Sequence, residues 1–267
     1  MKIGVLGKIT KVETDEVIQE IIAALECLGH ETVRFSTHRE IDGVDVVIVL
    51  GGDGAILHAA VPAAQKGIKI IGINFGNLGF LTEYEKDERE RVKDLVAALD
   101  AGLCKIVKRS LLQITIGEKV FYALNEVAIQ RDNSLISAAA TQILTVDVTA
   151  KEGKTSIAGD GLLICTPTGS TAYSLSAGGA ILVPEVPVFM MTPICAFSTR
   201  SRPIVFADTD EFTIRIKKGK SIILSDGRVI AALPENGEIH IKKAPFTADF
   251  PVKEGADFFA RVRNKLG

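Results

Sequence analysis

The sequence predicts an α/β domain followed by a β-rich domain of sandwich type, and the change of pattern along the chain predicts both. Over roughly the first hundred residues, short apolar runs alternate with stretches of helical spacing, which implies βαβ units and a parallel sheet. After about residue 108, segments rich in β-branched residues are separated by Gly, Asp and Asn. No convincing helix intervenes there before the region of Ser174 to Ala177. The expected division is 1–105 for the α/β domain and 106–267 for the β-sandwich, with the extreme C-terminal tail returning to the first domain. The joint near Gly102 to Ser110 carries no low-complexity linker, and no internal repeat is visible.

Each element has its own signal. Lys2 to Leu6 is a short apolar strand. Thr14 to Leu28 has helical spacing at Val17, Ile21, Ala24, Leu25 and Leu28, ended by Gly29. Asp45 to Leu50 is a continuous β-branched run of the kind buried on both faces of a parallel, Rossmann-like sheet. Ala55 to Gln65 reads as a helix that Pro62 bends or ends. Lys69 to Ile73 is the next strand and Asp87 to Ala101 the next helix. In the second half, Gln113 to Ile116, Thr141 to Val148, Leu162 to Cys165, Phe212 to Ile216, Ser221 to Leu224 and Ile239 to Ile241 read as strands.

Composition narrows the function classes. The net charge is −2 with no basic run, which argues against a broad nucleic-acid face but not against a small phosphate pocket. No stretch approaches the length of a spanning helix, and the apolar run at the N-terminus is too short for a signal peptide. Cys27, Cys104, Cys165 and Cys195 lie far apart without a Cys-x-x-Cys pair, so free thiols in a reducing cytoplasm are expected. The four histidines form no His-Glu-x-x-His pattern, and no protein-held metal is expected.

The chemistry-bearing residues cluster in loops. Gly51-Gly52-Asp53-Gly54 directly follows a buried strand and opens a helix, the position at which open α/β sheets bind ligands. Glycines there let a backbone approach phosphate, and the helix N-terminus supplies unpaired N–H groups. A carboxylate repels phosphate, so Asp53 is useful if it accepts a proton from an attacking hydroxyl or helps hold a bridging magnesium ion. Position alone leaves simple helix capping equally open. Neither a P-loop nor the Gly-x-Gly-x-x-Gly fingerprint after the first strand is present.

Gly76 to Thr82 is a Gly-bracketed loop at the same strand-end surface. Thr166-Pro167-Thr168-Gly169-Ser170-Thr171-Ala172-Tyr173 is dense in hydroxyls, with amides for base edges and phosphates and an aromatic face for a ring. Small residues from Ser176 to Gly179 allow close approach of a ligand. The pair Asn125-Glu126 suits an adenine edge and ribose hydroxyls, although any turn could hold it. Asp160-Gly161 and Asp226-Gly227, taken alone, read as hairpin turns.

Together these motifs resemble the NAD kinase family. Its members carry Gly-Gly-Asp-Gly, Gly-Phe-Leu-Thr, an Asn-Glu pair, a Gly/Ser-Asp-Gly and the long Thr-Pro-Thr-Gly-Ser-Thr-Ala-Tyr-Ser-Leu-Ser-Ala-Gly-Gly stretch. All occur here in that order between Gly51 and Gly179, and the similarity continues through Arg202-Pro203 and Ser225-Asp226-Gly227. The resemblance implies phosphoryl transfer from ATP or polyphosphate, with magnesium or another divalent ion carried on the nucleotide phosphates. The acceptor is the 2′-hydroxyl of the adenosine ribose of NAD, and the product NADP. Asp53 would be the proton acceptor, beside Gly51, Gly52 and Gly54. Asn125, Glu126, Asp160, Thr171, Ala172, Tyr173 and Ser176 would line the dinucleotide site. The implied architecture places that site in a cleft between an α/β domain and a β-sandwich. The implied assembly is a homodimer or homotetramer without nucleic-acid or membrane partners.

Four positions depart from the usual pattern. His58 stands about one turn past Asp53, where a role near phosphates is conceivable alongside plain packing. Ala158 replaces an Arg of several members, leaving more room and less positive charge near the nicotinamide end, which suggests that NADH is accepted as well as NAD. Cys195 falls where Ala is common, and Arg228 follows the last Asp-Gly; either could touch ligand. Two alternatives remain: a lipid or sugar kinase sharing the Gly-Gly-Asp-Gly loop, and a non-catalytic dinucleotide sensor. The first lacks the Thr-Pro-Thr-Gly-Ser-Thr-Ala-Tyr motif, and the second has no use for an intact Asp53. A dehydrogenase would need the missing dinucleotide fingerprint.

Overall fold

A computed structural model of the chain describes residues 1–7, 12–76, 79–132 and 143–266. The chain divides into two compact units, Met1–Arg109 with Phe246–Gly267, and Ser110–Pro245. The closing segment thus groups with the first unit, and the divisions fall inside two long strands rather than in linkers.

The first unit alternates strand and helix: β1 (Lys2–Gly7), α1 (Val12–Cys27), β2 (Glu31–Phe35), β3 (Val46–Leu50), α2 (Asp53–Gln65), β4 (Lys69–Asn74), the two-residue β5 (Tyr84–Glu85) and α3 (Val92–Asp100). The strands form one parallel sheet in the order β2-β1-β3-β4-β5. All five residues of β3 are buried, as a central parallel strand covered on both faces requires. Ile18, Ile21 and Leu25 of α1 pack with Ile3, Ile48 and Ile71 in one core. Leu28 lies past the helix end and is exposed, although the apolar spacing included it. Pro62 does not end α2, which continues to Gln65; it costs one backbone bond and no more of the helix. The helix expected over 87–101 begins as a 3₁₀ segment, Lys86–Arg91, held by a reciprocal capping box between Glu85 and Glu88.

β6 (Lys105–Ile116) leads into the second unit, which contains β7 (Lys119–Ala123), β8 (Glu126–Arg131), β9 (Leu144–Ala150), β10 (Gly153–Gly159) and β11 (Gly161–Cys165). The short α4 (Tyr173–Ser176), β12 (Val188–Ile194), β13 (Ile204–Ala207), β14 (Phe212–Lys218), β15 (Ser221–Ser225) and β16 (Arg228–Leu233) follow. β17 (Glu238–Val252) leads out of it, and α5 (Phe258–Leu266) closes the described chain. Two six-stranded sheets result, in the orders β10-β9-β14-β17-β6-β7 and β13-β12-β11-β8-β15-β16.

Period-two alternation puts Ile114, Val127, Ile129, Val148, Phe189 and Ile214 into one core between the inner faces. Burying each such side chain contributes about 1.5–3 kcal/mol. The opposite face of the second sheet carries a separate small apolar group, Ala128, Leu163 and Ile194. The first three residues of the strand expected from Thr141 onward fall partly outside the described residues, and β9 begins at Leu144.

Asp160-Gly161 is not a hairpin. It carries the chain from β10 in one sheet to β11 in the other, and a Cβ on Gly161 would lie 2.3 Å from the Ile129 carbonyl oxygen. Asp226-Gly227 is the hairpin that the dipeptide predicts. It joins β15 and β16 with Ser225 opposite Arg228, and both turn residues have positive φ, 47° and 76°.

Candidate active site

In the first unit the site grows from the end of β3. The Gly51 amide donates to the Ile73 carbonyl and the Phe75 amide to the Gly51 carbonyl, tying the loop to the end of β4. Gly52, in extended backbone, is the N-cap residue of α2, and no side chain caps that end. Asp53 is the first helical residue, so the capping role left open by the sequence is not the one it performs. Its carboxylate turns to a neighbouring loop instead. It accepts hydrogen bonds from the amides of Phe80 (2.8 Å) and Leu81 (3.0 Å), and Lys265 Nζ lies 3.3 Å from Oδ2.

Glycine at position 79 leaves the carboxylate its place, because a Cβ there would sit 2.2 Å from Asp53 Oδ1. The carboxylate is therefore oriented from one side while 29% of the side chain stays exposed. Such a group can accept a proton from a hydroxyl presented to its open side. A Cβ built on Gly52 or Gly54 meets nothing within 4 Å, so these two backbones border open space. His58 is not brought to Asp53. Five residues on, it points about 140° round the helix, is exposed, and stacks near the His38 ring at 5.6 Å between centroids.

In the second unit the decisive side chain is Asp226, which the dipeptide reading treated as a turn. Its carboxylate accepts the amides of Leu124 (2.8 Å), Asn125 (2.8 Å) and Glu126 (3.2 Å). The hairpin thereby fixes the segment that presents Asn125 and Glu126. From the other side, Thr166 donates its hydroxyl to the Leu124 carbonyl (2.6 Å) and its amide to the Asn125 carbonyl (2.9 Å). The hydroxyl-rich loop lies so close that a Cβ on Gly169 would meet the Asn125 carbonyl oxygen at 2.1 Å.

Burial, reinforced by the nearby Asp226 charge, pushes the Glu126 carboxyl up to about 8. Its Oε2 is buried without a hydrogen-bond partner among the described residues. Burial pushes Asp226 up as well, but its three amide donors and Arg228 oppose this. The push toward the protonated form is thus unopposed at Glu126 and opposed at Asp226.

Along β8, Glu126, Ala128 and Gln130 share the outer face, while Val127 and Ile129 point into the core. Ala128 joins Leu163 and Ile194 in a small apolar floor. Tyr173 stands over this face, its hydroxyl accepting from Gln130 Nε2 at 2.9 Å. Ser174 anchors the loop beneath it through Thr192 (2.9 Å between hydroxyls). Thr171 bonds back to the Thr168 carbonyl at 3.3 Å, Ala172 is half-buried at the start of α4, and Ser176 is exposed at its end.

At the far end of β8, Asp160 pairs with Arg131 at 3.2 Å. Its amide donates to the Ile194 carbonyl, and the Phe197 amide donates to the Ala158 carbonyl. Cys195, exposed at φ 44°, lies between those two contacts. Ala158, Asp160 and Cys195 thus gather together, opposite the end where Arg228 follows Asp226. Glu126 pairs with Cys165 and Gln130 with Gly161 across β8 and β11. The two polar groups are therefore separated by about 14 Å of strand.

The matches to known proteins span both units. The ATP-NAD kinase N-terminal domain family matches residues 4–101, and the ATP-NAD kinase C-terminal domain family matches residues 124–251. The chain belongs to the NAD kinase family. Among curated relatives, NAD kinase of Carboxydothermus hydrogenoformans is 39% identical over 231 residues, covering 84% of this chain and 79% of that protein. NAD kinase of Methanothermobacter thermautotrophicus is 32% identical over 100% of this chain and 96% of its own. Among solved structures, an NAD kinase from Archaeoglobus fulgidus in complex with ATP covers 100% of both chains with a TM-score of 0.81 and 26% identity. Yeast NADH kinase complexed with NADH has a TM-score of 0.86 at 23% identity, over 100% of this chain and 87% of its own, and shares the fold.

Within the NAD kinase frame, sequence reading missed Asp226 as a positioning group, Gly79 as the gap that admits Asp53, and Lys265. For Asp226 the only local signal was the dipeptide itself. Lys265 lies 212 residues from Asp53, and no spacing rule links them.

Proposed function

We propose that this protein transfers the terminal phosphoryl group of ATP to the 2′-hydroxyl of the adenosine ribose of NAD, giving NADP and ADP. The observation that carries the reading is Asp53. A carboxylate in the Gly-Gly-Asp-Gly loop of an NAD kinase chain is aimed by two backbone amides and left open on one side.

The ribose 2′-oxygen forms a bond to the γ-phosphorus as the bond from that phosphorus to the ADP oxygen breaks. Asp53 takes the hydroxyl proton, a contribution typically of about 10²- to 10⁴-fold in rate. The open backbone at Gly52 and Gly54 receives phosphate oxygens. The outer face of β8, with polar groups at each end, receives the elongated dinucleotide, Asn125 and Glu126 toward one end and Asp160 toward the other.

Among the described residues, no group of three or more His, Cys, Asp or Glu side chains converges. Asp53 already has hydrogen bonds on both oxygens, so the donor set fits magnesium only as an ion carried on the triphosphate. There it supplies charge neutralisation. Ala158, placed beside Asp160 and Cys195, supports use of NADH alongside NAD, because no cation stands in that side chain. A cytoplasmic homo-oligomer is the setting that the family pattern favours, and among the described residues no helix is long and apolar enough to cross a membrane.

The test incubates purified protein with magnesium and ATP, or polyphosphate, plus NAD or NADH, and quantifies NADP and NADPH. Asp53→Asn should keep dinucleotide binding and lose turnover by about 10²-fold or more. Near-normal turnover in that variant would remove the base assignment. No product from any pairing, with folded protein that still binds dinucleotide, would turn the reading to a sensor.

A further inference from the structure

Phosphoryl transfer needs positive charge around the migrating group, and P-loop kinases take it from a lysine within the loop itself. The loop here has none: from Val46 to Pro62 the chain contains neither lysine nor arginine. The structure brings a lysine from elsewhere. We propose that Lys265, delivered by α5, is part of the phosphoryl-transfer site and supplies the cation that the Gly51–Gly54 loop lacks. The proposal rests on the kinase reading above.

Four contacts carry it. Lys265 Nζ lies 3.3 Å from Asp53 Oδ2 and 4.2 Å from the centroid of the Phe80 ring. One turn earlier on the same helix face, Arg261 donates to the Phe80 carbonyl at 3.0 Å and to Glu83 at 3.1 Å. Phe80 is the residue whose amide aims Asp53. One face of α5 therefore grips the very segment that orients the reacting carboxylate.

A lysine in the last turn of a helix often does no more than meet the helix dipole or fasten the chain end. Fastening is already supplied here by Arg261, whose partner Glu83 is buried, its side chain only 5% exposed. Lys265 also lies over the Phe80 ring, but its ion-pair partner is the one carboxylate of the loop. Both side chains keep more than a quarter of their surface exposed, so the ammonium is open to a ligand at the same spot.

With no nucleotide present, Lys265 neutralises Asp53, whose charge would otherwise repel a triphosphate. When the γ-phosphoryl group arrives, the ammonium reaches its oxygens. During transfer the bond to the ribose oxygen forms, the bond to ADP breaks and the hydroxyl proton passes to Asp53. Lys265 keeps its own proton throughout and holds developing negative charge.

Lys265→Met, Lys265→Arg and Lys265→Ala would be compared with wild type and Asp53→Asn. The readouts are kcat, the KM values for ATP and for NAD, calorimetric ATP binding and thermal midpoint. Lys265→Met should lose about 10²-fold in kcat and weaken ATP binding about tenfold, with the KM for NAD unchanged. Lys265→Arg should recover part of both, and ethylammonium should partly rescue Lys265→Ala. A kcat and ATP affinity in Lys265→Met within about twofold of wild type would overturn the proposal. So would a loss that tracks a fall in thermal midpoint and is not restored by Arg or amine. If wild type turns over and Asp53→Asn does not while Lys265→Met does, this proposal fails alone. If wild type makes no NADP, both readings fall.

Discussion

At Asp53 the requirement is orientation, and single atoms enforce it. Two amides hold the oxygens, and the missing Cβ of Gly79 lets the Phe80–Leu81 backbone come close enough to donate. Gly79→Ala should therefore displace the carboxylate rather than unfold the chain, since the clash falls on a side-chain oxygen 2.2 Å away. A misplacement of about an ångström at a reacting group costs on the order of 10²-fold in rate. The expected result is a kcat lowered by that order with a nearly unchanged thermal midpoint. Steady-state kinetics beside a melting curve would show it, and normal kcat would mean that the loop absorbs the methyl group.

On the scale of elements, the β15–β16 hairpin fixes the Leu124–Glu126 segment at the start of β8. Its turn has both functions at once: positive φ at Asp226 and Gly227 closes the hairpin, and the Asp226 carboxylate collects three amides from Leu124 to Glu126. Asp226→Ala strands three donors near a buried site, and each unsatisfied donor costs about 1–3 kcal/mol, so a loss of about 3 kcal/mol or more is expected in urea unfolding. The same variant should raise the KM for NAD, because Asn125 and Glu126 lose their support. Gly227→Ala strains only the backbone at φ 76°, for about 1–2 kcal/mol, and should leave the KM for NAD close to wild type. Equal effects of the two variants on that KM would show that the turn, not the carboxylate, positions the segment.

Over the whole molecule, shifted carboxyl groups link pH to stability. Burial, reinforced by the Asp226 charge, pushes the Glu126 carboxyl from its ordinary 4.5 up to about 8. Folding therefore takes up a proton between those values. Its contribution to stability is fully present below about 4.5 and is lost as pH rises through 8. Asp226 is shifted in the same direction. Glu88 acts in the opposite sense. Burial, which raises it, is outweighed by its hydrogen bonds with Lys253 and the Glu85 amide, so its contribution is lost in acid below that window. Thermal midpoints measured from pH 5 to 8 should fall more steeply for wild type than for Glu126→Gln. Parallel slopes would show that Glu126 is ionised in the folded protein.

The sequence by itself determined the two halves of the fold, because hydrophobic period is a local property. The continuous run at β3 and the alternation along β8 and β14 each require a specific covering. It also marked out Gly51–Gly54 and Thr166–Tyr173 as candidate ligand loops, since both are contiguous and rich in unusual residue types. Local signals do not by themselves fix where a residue lies in the fold. Asp160-Gly161 has the composition of a turn but crosses between sheets, and His58 follows Asp53 closely in sequence while facing His38. What only the tertiary structure decided is who holds whom. Asp53 meets Lys265, and Asp226 meets Leu124 to Glu126, across about a hundred residues or more. A hydrogen bond requires positions fixed to a few tenths of an ångström. Only packing at long range sets those positions, and no spacing along the chain encodes it.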